Sequence, residues 1–354
     1  MKNLIITHDV DADGFASRYL FENIFGDSNV GYIGYNYGRV NLEGMSLPTP
    51  DDWFKLNTDN YIFGDVTPTD DFIQKIIDNQ DNHNQYIYIF DHHKNRHDEI
   101  YEKFGEHINK DNSIIKYYFD NKYSASFIIL NAIYTTIIKK LQYKDYPNYP
   151  EEFYNSFRKE LFQTVLLHNI IKLVDYYDTW KFSELVNPED KRFKNQVLSF
   201  SEYNKTYCTS YLKFKIELDK IMSYPDYLDS AFTVGDALID KTKKDNNQAI
   251  NNGRFYVNHV IDDLIFLYQG YPNYFLGEEL KKDIPEIKAY MGYQINCRTN
   301  TVKLSIRTFG DVDAVAIAKY FDPIGGGGHK NASGATISLE TFYELLMINP
   351  ISNE

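Results

Sequence analysis

The segment Tyr86-Ile87-Tyr88-Ile89-Phe90-Asp91-His92-His93 is an apolar strand-like run that ends in a carboxylate and two imidazoles. Two other strand-like runs end in similar side chains: Leu4 to Ile6 leads into Thr7-His8-Asp9-Val10-Asp11-Ala12-Asp13-Gly14, and Tyr61 to Phe63 leads into Gly64-Asp65. Because open parallel sheets place ligands outside the carboxyl ends of their strands, we expect these segments to converge on one crevice. Their aspartates and histidines form a ligand set for hard or borderline divalent metals.

The N-terminal half of the chain alternates between helix and strand patterns. Helical spacing of apolar residues covers Gly14 to Phe25, a strand is predicted near Val30 to Tyr35, and Thr69 is the expected N-cap of a helix over Asp70 to Asn79. A further strand is predicted over Ile114 to Phe119. This alternation predicts an α/β fold with a doubly wound, mostly parallel sheet and helices on both faces.

The rest of the chain predicts helices and then a second domain. Two helices are expected over about Ser124 to Leu141 and Glu151 to Val174, and charged, aromatic-rich helical segments follow as a connector. The C-terminal part returns to strand patterns, at Arg254–Val257, Leu264–Tyr268, Ala289–Cys297 and Val302–Ile306, with a short helix at Asp313–Tyr320. We therefore predict a catalytic domain over residues 1–186, a helical connector over 187–252 and a smaller α+β domain over 253–354.

Length and composition restrict the class of protein. A chain of 354 residues exceeds what one hydrophobic core usually supports, which predicts two domains. Its two cysteines, Cys208 and Cys297, lie outside the motifs, so a reducing compartment is expected rather than a disulfide framework. The N-terminus lacks a signal-peptide pattern, and no apolar run approaches the roughly 18 residues needed to cross a bilayer. These features predict a soluble cytoplasmic protein without a membrane partner.

The net charge of −13 restricts the partners. Proteins that coat long duplex nucleic acid need many Lys and Arg side chains to neutralise phosphates, so that function is disfavoured. A short anionic substrate is still compatible with the charge, because bound divalent cations would reverse the potential of an acidic site.

Two motifs together resemble the DHH phosphoesterase family. The first is the triplet Asp91-His92-His93, for which that family is named. The second, Ile324-Gly325-Gly326-Gly327-Gly328-His329-Lys330-Asn331-Ala332-Ser333-Gly334-Ala335, is similar to the signature of the DHH-associated C-terminal domain, a substrate-binding module. The motifs occur in the family's order and frame nearly the whole chain.

The resemblance implies two divalent metal ions, with manganese expected first and magnesium or cobalt as alternatives. It assigns His8, Asp11 and Asp65 to one ion, and Asp13, His92 and an acid of a fourth motif to the other. Asp65 is the candidate bridge, because metal pairs about 3.5–4 Å apart need a shared carboxylate. The fourth motif is Asp175-Tyr176-Tyr177-Asp178-Thr179-Trp180, in which Asp175 is preferred and Asp178 is the alternative.

The resemblance also implies roles in substrate contact. His93 is expected to contact the scissile phosphate and Asp91 to orient the histidines. In the C-terminal domain, the N–H groups of Gly326, Gly327 and Gly328 are predicted to form an anion-binding nest beside His329. Arg307 is expected to clamp a phosphate.

The predicted function is hydrolysis of short oligonucleotides to nucleoside monophosphates, similar to the family's oligoribonuclease branch. A substrate that touches both domains favours a short single-stranded oligonucleotide or a dinucleotide over pyrophosphate. Alternative enzymes are a cyclic- or linear-dinucleotide phosphodiesterase and a single-strand DNA exonuclease. A non-enzymatic alternative is a nucleotide-binding protein with a decayed site. A homodimer is compatible with the sequence.

Overall fold

A computed structural model describes residues 3–26, 30–35, 58–80, 85–111, 113–132, 151–258 and 263–347. The chain divides into two compact units, Met1–Leu238 and Ile239–Glu354. Each unit is built around its own β-sheet.

The first unit contains a five-stranded sheet whose neighbouring strands are all parallel. Its strands are β1 (Asn3–His8), β2 (Val30–Tyr35), β3 (Asn60–Gly64), β4 (Tyr86–Asp91) and β5 (Ile115–Phe119). They lie in the order β2-β1-β3-β4-β5. The helices α1 (Ala12–Phe25), α2 (Asp70–Asp78) and α3 (Lys94–Phe104) follow β1, β3 and β4. The structure confirms the predicted doubly wound α/β fold.

Alternation of side chains along the strands places helices on both faces of this sheet. On one face, Ile87 and Ile89 belong to the same buried cluster as Phe72 and Ile76 of α2 and Ile100 of α3. On the other face α1 packs closely against the strands: the rings of Phe21 and Phe90 lie 5.6 Å apart. A parallel sheet must be covered on both sides, and these helices provide that cover.

The strand order reverses direction between β1 and β3, because the chain leaves β1 toward β2 on one side and returns to β3 on the other. At such a reversal the adjacent loops separate and leave a crevice at the carboxyl ends of the strands. The loops after β1, β3 and β4 carry Asp11, Asp65 and His92, so the topology itself directs these side chains to one place.

Helices form most of the remaining first unit. A helix over residues 125–132, here α4, occupies the described part of the predicted Ser124–Leu141 helix; residues 133–141 lie outside the described residues. It is followed by α5 (Glu151–Asp178), α6 (Lys191–Tyr207), α7 (Tyr211–Ser223) and α8 (Tyr227–Asn252). None of the helices within the described ranges is long and apolar enough to cross a membrane.

Helices α6 and α7, which lie in the range predicted as a connector, pack on the first unit. The rings of Phe15 and Phe214 lie 5.9 Å apart, and Tyr19 Oη donates to Asp219 at 3.1 Å. The aromatic side chains of this range therefore bury apolar surface against α1. The boundary between the two units falls within α8.

The second unit contains a mixed six-stranded sheet. Its strands are β6 (Arg254–Asn258), β7 (Asp263–Gln269), β8 (Ala289–Asn296), β9 (Thr301–Thr308), β10 (Gly327–His329) and β11 (Ala332–Ser338). They lie in the order β10-β11-β9-β8-β7-β6, and within the described strands only β7 and β8 pair in parallel. The helices are α9 (Tyr274–Asp283), α10 (Ala314–Phe321) and α11 (Leu339–Met347). This α+β architecture agrees with the prediction.

Candidate metal centre

The loop after β1 positions the first two candidate ligands. Asp11 is the N-cap of α1, and its Oδ1 accepts a hydrogen bond from Gly14 N at 3.0 Å. Its other oxygen, Oδ2, lies 3.1 Å from Nδ1 of His8, the last residue of β1. A Cβ atom at position 14 would lie 2.1 Å from the carbonyl oxygen of His8, so only glycine permits this approach of α1 to β1.

Asp65 lies between two histidines. Its Oδ2 is 3.4 Å from His8 Nδ1 and its Oδ1 is 3.5 Å from His92 Nε2. The residue adopts φ 58°, which is uncommon outside glycine, and its N–H donates to the Phe90 carbonyl at 3.0 Å. The left-handed turn at the end of β3 thus directs one buried carboxylate toward the ends of both β1 and β4.

A second donor group is formed by Asp13, His92 and Asp178, whose ligand atoms lie within 4.8 Å of one another. Asp178 Oδ2 is 3.2 Å from His92 Nε2. This oxygen is buried, yet it accepts no hydrogen bond from any residue that the structure describes. A buried acceptor without a donor is costly, and a cation at this position would remove that cost.

Asp13 is fixed by the start of α4. Its carboxylate accepts hydrogen bonds from Ala125 N at 2.8 Å, from Ser126 N at 3.0 Å and from the Ser126 hydroxyl. The N-terminal end of a helix stabilises a carboxylate through its free N–H groups and its dipole. Sequence analysis missed this support, although small polar residues before an apolar helical run are a typical helix start.

The structure places Asp178, and not the preferred Asp175, with Asp13 and His92. Both oxygens of Asp175 have other partners: Oδ1 accepts from Ser124 N at 2.7 Å, and Oδ2 accepts from Lys181 Nζ at 2.7 Å. Asp175 is buried and ties α5 to the residues before α4 and after α5, and this position corrects the order of preference within the fourth motif.

Asp91 orients the residues that follow it. Its Oδ1 accepts from the backbone N–H groups of His92 at 2.7 Å and His93 at 3.2 Å, and it lies 2.6 Å from His93 Nδ1. Its Oδ2 accepts a hydrogen bond from the Thr67 hydroxyl, a contact with no sequence signal of its own. The fully buried carboxylate therefore fixes the ring of His93, as expected for an orienting group.

The electrostatics of the centre are those of crowded carboxylates. Burial raises the pKa of Asp178 to about 7 and holds the pKa of Asp13 well above its ordinary value; repulsion from Asp65 adds to both shifts. Burial opposes a charge on His8, but its hydrogen bonds with Asp11 and Asp65 raise its pKa to about 11. The raised pKa values of His8, Asp13 and Asp178 show that the crowded carboxylates favour bound protons, because each proton reduces the repulsion between negative charges.

These observations fit divalent cations. Two donor groups, His8–Asp11–Asp65 and Asp13–His92–Asp178, combine imidazole nitrogen with carboxylate oxygen. That mixture suits manganese, and other first-row metals also accept it. A divalent ion would supply the positive charge that the histidines otherwise carry as protons.

In the second unit, the structure brings Arg307 and His329 into one row of the sheet. His329 pairs with Ala332, and Ala332 pairs with Arg307, so the three residues share a face across β10, β11 and β9. Arg307 is half-buried and donates from Nη1 to the Ile306 carbonyl at 2.8 Å, whereas His329 is exposed. Their shared face is compatible with the predicted substrate contact.

The predicted nest of glycine N–H groups does not form. Gly327 and Gly328 belong to β10 and pair with Gly334 and Ser333 of β11. Successive N–H groups of a strand point in opposite directions, whereas a nest needs them to converge. In addition, Gly326 N already donates to the Asp322 carbonyl at 2.8 Å.

Several solved structures resemble the chain at low similarity. A pGpG-specific phosphodiesterase, PggH from Vibrio cholerae, has 14% identity and a TM-score of 0.46, covering 98% of this chain and 96% of that one. An exonuclease RecJ bound to manganese has 11% identity and a TM-score of 0.46, covering 98% and 88%. An uncharacterized protein from Helicobacter pylori G27 has 17% identity and a TM-score of 0.36, covering 98% of each chain. No protein-family model and no curated protein matches the chain. At these identities and scores the likeness supports no conclusion about function.

Proposed function

We propose that this chain is a DHH-family phosphodiesterase that hydrolyses short oligonucleotides, oligoribonucleotides foremost, to nucleoside monophosphates with two divalent ions, manganese first. The observation that carries the proposal is the position of Asp65. Its two oxygens face histidines of two different donor groups, at 3.4 and 3.5 Å. A shared carboxylate between two ligand sets is the arrangement that two-metal phosphoryl transfer needs.

Each donor group has a place in this proposal. His8, Asp11 and Asp65 would hold one ion, while Asp13, His92 and Asp178 would hold the other. When bound, divalent cations supply Lewis-acid chemistry and a nucleophile at neutral pH. Asp91 positions the imidazole of His93, whose pKa is raised by that carboxylate against the effect of burial. A protonated His93 is suited to stabilise negative charge that develops on a phosphoryl oxygen.

Recognition is assigned to the second unit. Arg307 and His329 share one face of its sheet, and both side chains can interact with phosphate. The small residues Ala332 and Gly334 lie on the same face and leave room above it. We therefore assign the second unit the role of binding a part of the substrate away from the scissile bond.

A single panel of substrates tests the function. Purified full-length protein with manganese is offered an RNA pentamer, a DNA pentamer, linear dinucleotides, cyclic dinucleotides and a long single-stranded DNA. We expect hydrolysis of the RNA pentamer and of linear dinucleotides, with nucleoside monophosphates as final products and no activity in excess chelator.

A different substrate preference in this panel would assign a different function to the chain. Preference for a cyclic dinucleotide would assign the chain to cyclic-dinucleotide hydrolysis, and preference for long DNA would assign it to single-strand exonucleases. Binding of nucleotides without any turnover would support a decayed site. Equal turnover with and without chelator would reject the metal-dependent mechanism.

A further inference from the structure

A cavity of about 350 Å³ lies in the first unit beside the candidate metal centre. Three of its lining residues, Asp11, Asp13 and Asp178, are candidate metal ligands. Much of the remaining lining comes from α5 and α6, including the apolar side chains of Leu173 and Phe200. The cavity is therefore continuous with the place where the proposed reaction occurs.

Two polar side chains of α6 also line this cavity. Ser201 and Asn204 are three residues apart, so they share one face of the helix. Their exposed fractions are only 6% and 7%. Within the described ranges neither side chain has a hydrogen-bond partner, and its polar atoms are not sealed from solvent. Polar side chains that line a cavity without a protein partner can hydrogen-bond a ligand that displaces the cavity water.

The chemistry of the lining selects the ligand. The lining carboxylates Asp11, Asp13 and Asp178 are assigned to the metal ions, and the lining cation Lys205 is already bound, since its Nζ donates to Tyr177 Oη and Glu202 Oε1, both at 2.6 Å. The remaining lining residues are uncharged. A neutral group with a flat apolar body and a polar edge fits better. An Asn amide offers a donor and an acceptor side by side, which matches the edge of a nucleobase.

The size is also appropriate. Small-molecule sites of proteins typically have volumes of about 300–1,000 Å³, with mostly apolar walls and a few placed polar groups. A cavity of about 350 Å³ lies at the lower end of this range and fits one base with its sugar better than a dinucleotide.

We propose that this cavity is a nucleobase subsite, in which Asn204 hydrogen-bonds the edge of the base that flanks the scissile phosphodiester and Ser201 adds a second polar contact. The assignment rests on the proposed function, because it places the base next to the bond that is cut. It extends that function by giving the first unit a base-binding role of its own.

Binding of uncharged nucleosides tests the subsite without turnover. Full-length protein with manganese is titrated with adenosine, guanosine, cytidine and uridine, and binding is followed by calorimetry or ligand-observed NMR. We expect the wild type to bind at least one nucleoside and Asn204→Leu to bind it at least about tenfold more weakly, since the variant loses a buried hydrogen bond and occupies part of the cavity.

Asn195→Leu is the matched control, because Asn195 lies on the same helix but is exposed. It should bind nucleosides as the wild type does. Ser201→Ala is the second variant in case Asn204→Leu does not fold; it should weaken binding by about two- to fivefold. Failure of the wild type to bind any nucleoside, or equal binding by wild type, Asn204→Leu and Ser201→Ala, overturns the subsite.

Turnover separates this proposal from the proposed function. The measured quantity is the ratio of kcat/KM for a linear dinucleotide to that for a generic activated diester without a base. In Asn204→Leu this ratio should fall at least about tenfold, and in Asn195→Leu it should stay at the wild-type value. A wild type that binds nucleosides but cleaves neither substrate would reject the proposed function, whereas an unchanged ratio in Asn204→Leu would reject the subsite alone.

Discussion

The carboxyl end of the first sheet and the Arg307 row of the second sheet were both predicted as functional, but they are built differently. In the first, Asp13, Asp65 and Asp91 are buried and held by backbone N–H groups, hydroxyls or histidines. In the second, His329 is exposed and Arg307 is half-buried, among small residues. Reacting groups need fixed positions, whereas a recognition surface needs access.

The largest expected effect is at Asp65. Asp65→Ala should reduce kcat at least about 100-fold, because this carboxylate faces both donor groups and its loss should exceed the loss caused by removing a merely supporting residue. Bound manganese per chain should also fall, as measured by metal analysis. Asp71→Ala, which changes an exposed carboxylate of α2, is the control and should keep wild-type turnover. Near-normal hydrolysis by Asp65→Ala would contradict the reacting role given to the buried carboxylates of the first sheet.

Within the first region, Asp178 and Asp175 of the fourth motif separate a proposed metal ligand from a carboxylate that stabilises the fold. Asp178→Asn should lower turnover by orders of magnitude and reduce bound metal, because Asp178 faces His92. Asp175→Asn should instead lower the free energy of unfolding by about 1–3 kcal/mol, because one donor among Ser124 N and Lys181 would lose its acceptor. Each variant is the control of the other, measured by thermal unfolding and single-turnover kinetics. The reverse ranking would return the ligand role to Asp175.

A smaller effect is expected in the second region. Arg307→Ala should lower the ratio of oligonucleotide to generic-diester kcat/KM by roughly ten- to hundredfold, since a charged hydrogen bond contributes about 1.5–3 kcal/mol. Arg298→Ala is the control, because Arg298 is an exposed arginine of the same unit. Pentamers and dinucleotides should be compared with long single strands in both variants. Equal loss on every substrate would mean that Arg307 supports the fold and does not grip substrate.

The smallest effect concerns stability in the helical layer of the first unit. Glu217 accepts hydrogen bonds from Lys220 Nζ at 2.6 Å, from Tyr227 Oη at 3.0 Å and from the Tyr203 hydroxyl. Burial favours the neutral acid, but these donors outweigh it and lower the pKa of Glu217 below 4.5. The stabilisation is therefore present above pH 4.5 and disappears as the pH falls through the lowered pKa.

Glu217→Gln should consequently reduce the free energy of unfolding at pH 7 by at most about 1 kcal/mol, since Lys220 is half exposed. The difference from wild type should shrink as the pH falls below 4.5. Thermal unfolding across this range measures it, with Glu340→Gln as an exposed control. A difference that grows in acid would contradict the sign of the shift.

The alternation of apolar runs was sufficient to predict the first fold. The predicted strand Val30–Tyr35 and the N-cap Thr69 agree with the structure, because both depend on local residue patterns. The choice between Asp175 and Asp178 could not be made from the sequence. Residues three apart on a helix differ in direction by only roughly 60°, so the packing of α5 decides which one faces His92.

The second sheet shows where local patterns are insufficient. A run of four glycines predicts a flexible or anion-binding loop, but pairing with β11 makes Gly327 and Gly328 part of a strand. That pairing is a tertiary contact. Likewise, nothing distinguishes Asn204 from other polar residues of a helical segment until the cavity beside it is known. Local sequence thus predicted the strands and their ends better than the strand pairing and the cavity around them.

The strand order also determines when the centre can form during synthesis. Asn3 of β1 pairs with Asn60 of β3, and Asp178 belongs to a helix that emerges much later from the ribosome. Long-range parallel pairing is slow, and a nascent chain cannot complete it before the distant partner has been translated. In ribosome-stalled chains, manganese should therefore increase resistance to protease only at lengths well beyond residue 178. Shorter nascent chains should be digested at the same rate with and without the ion.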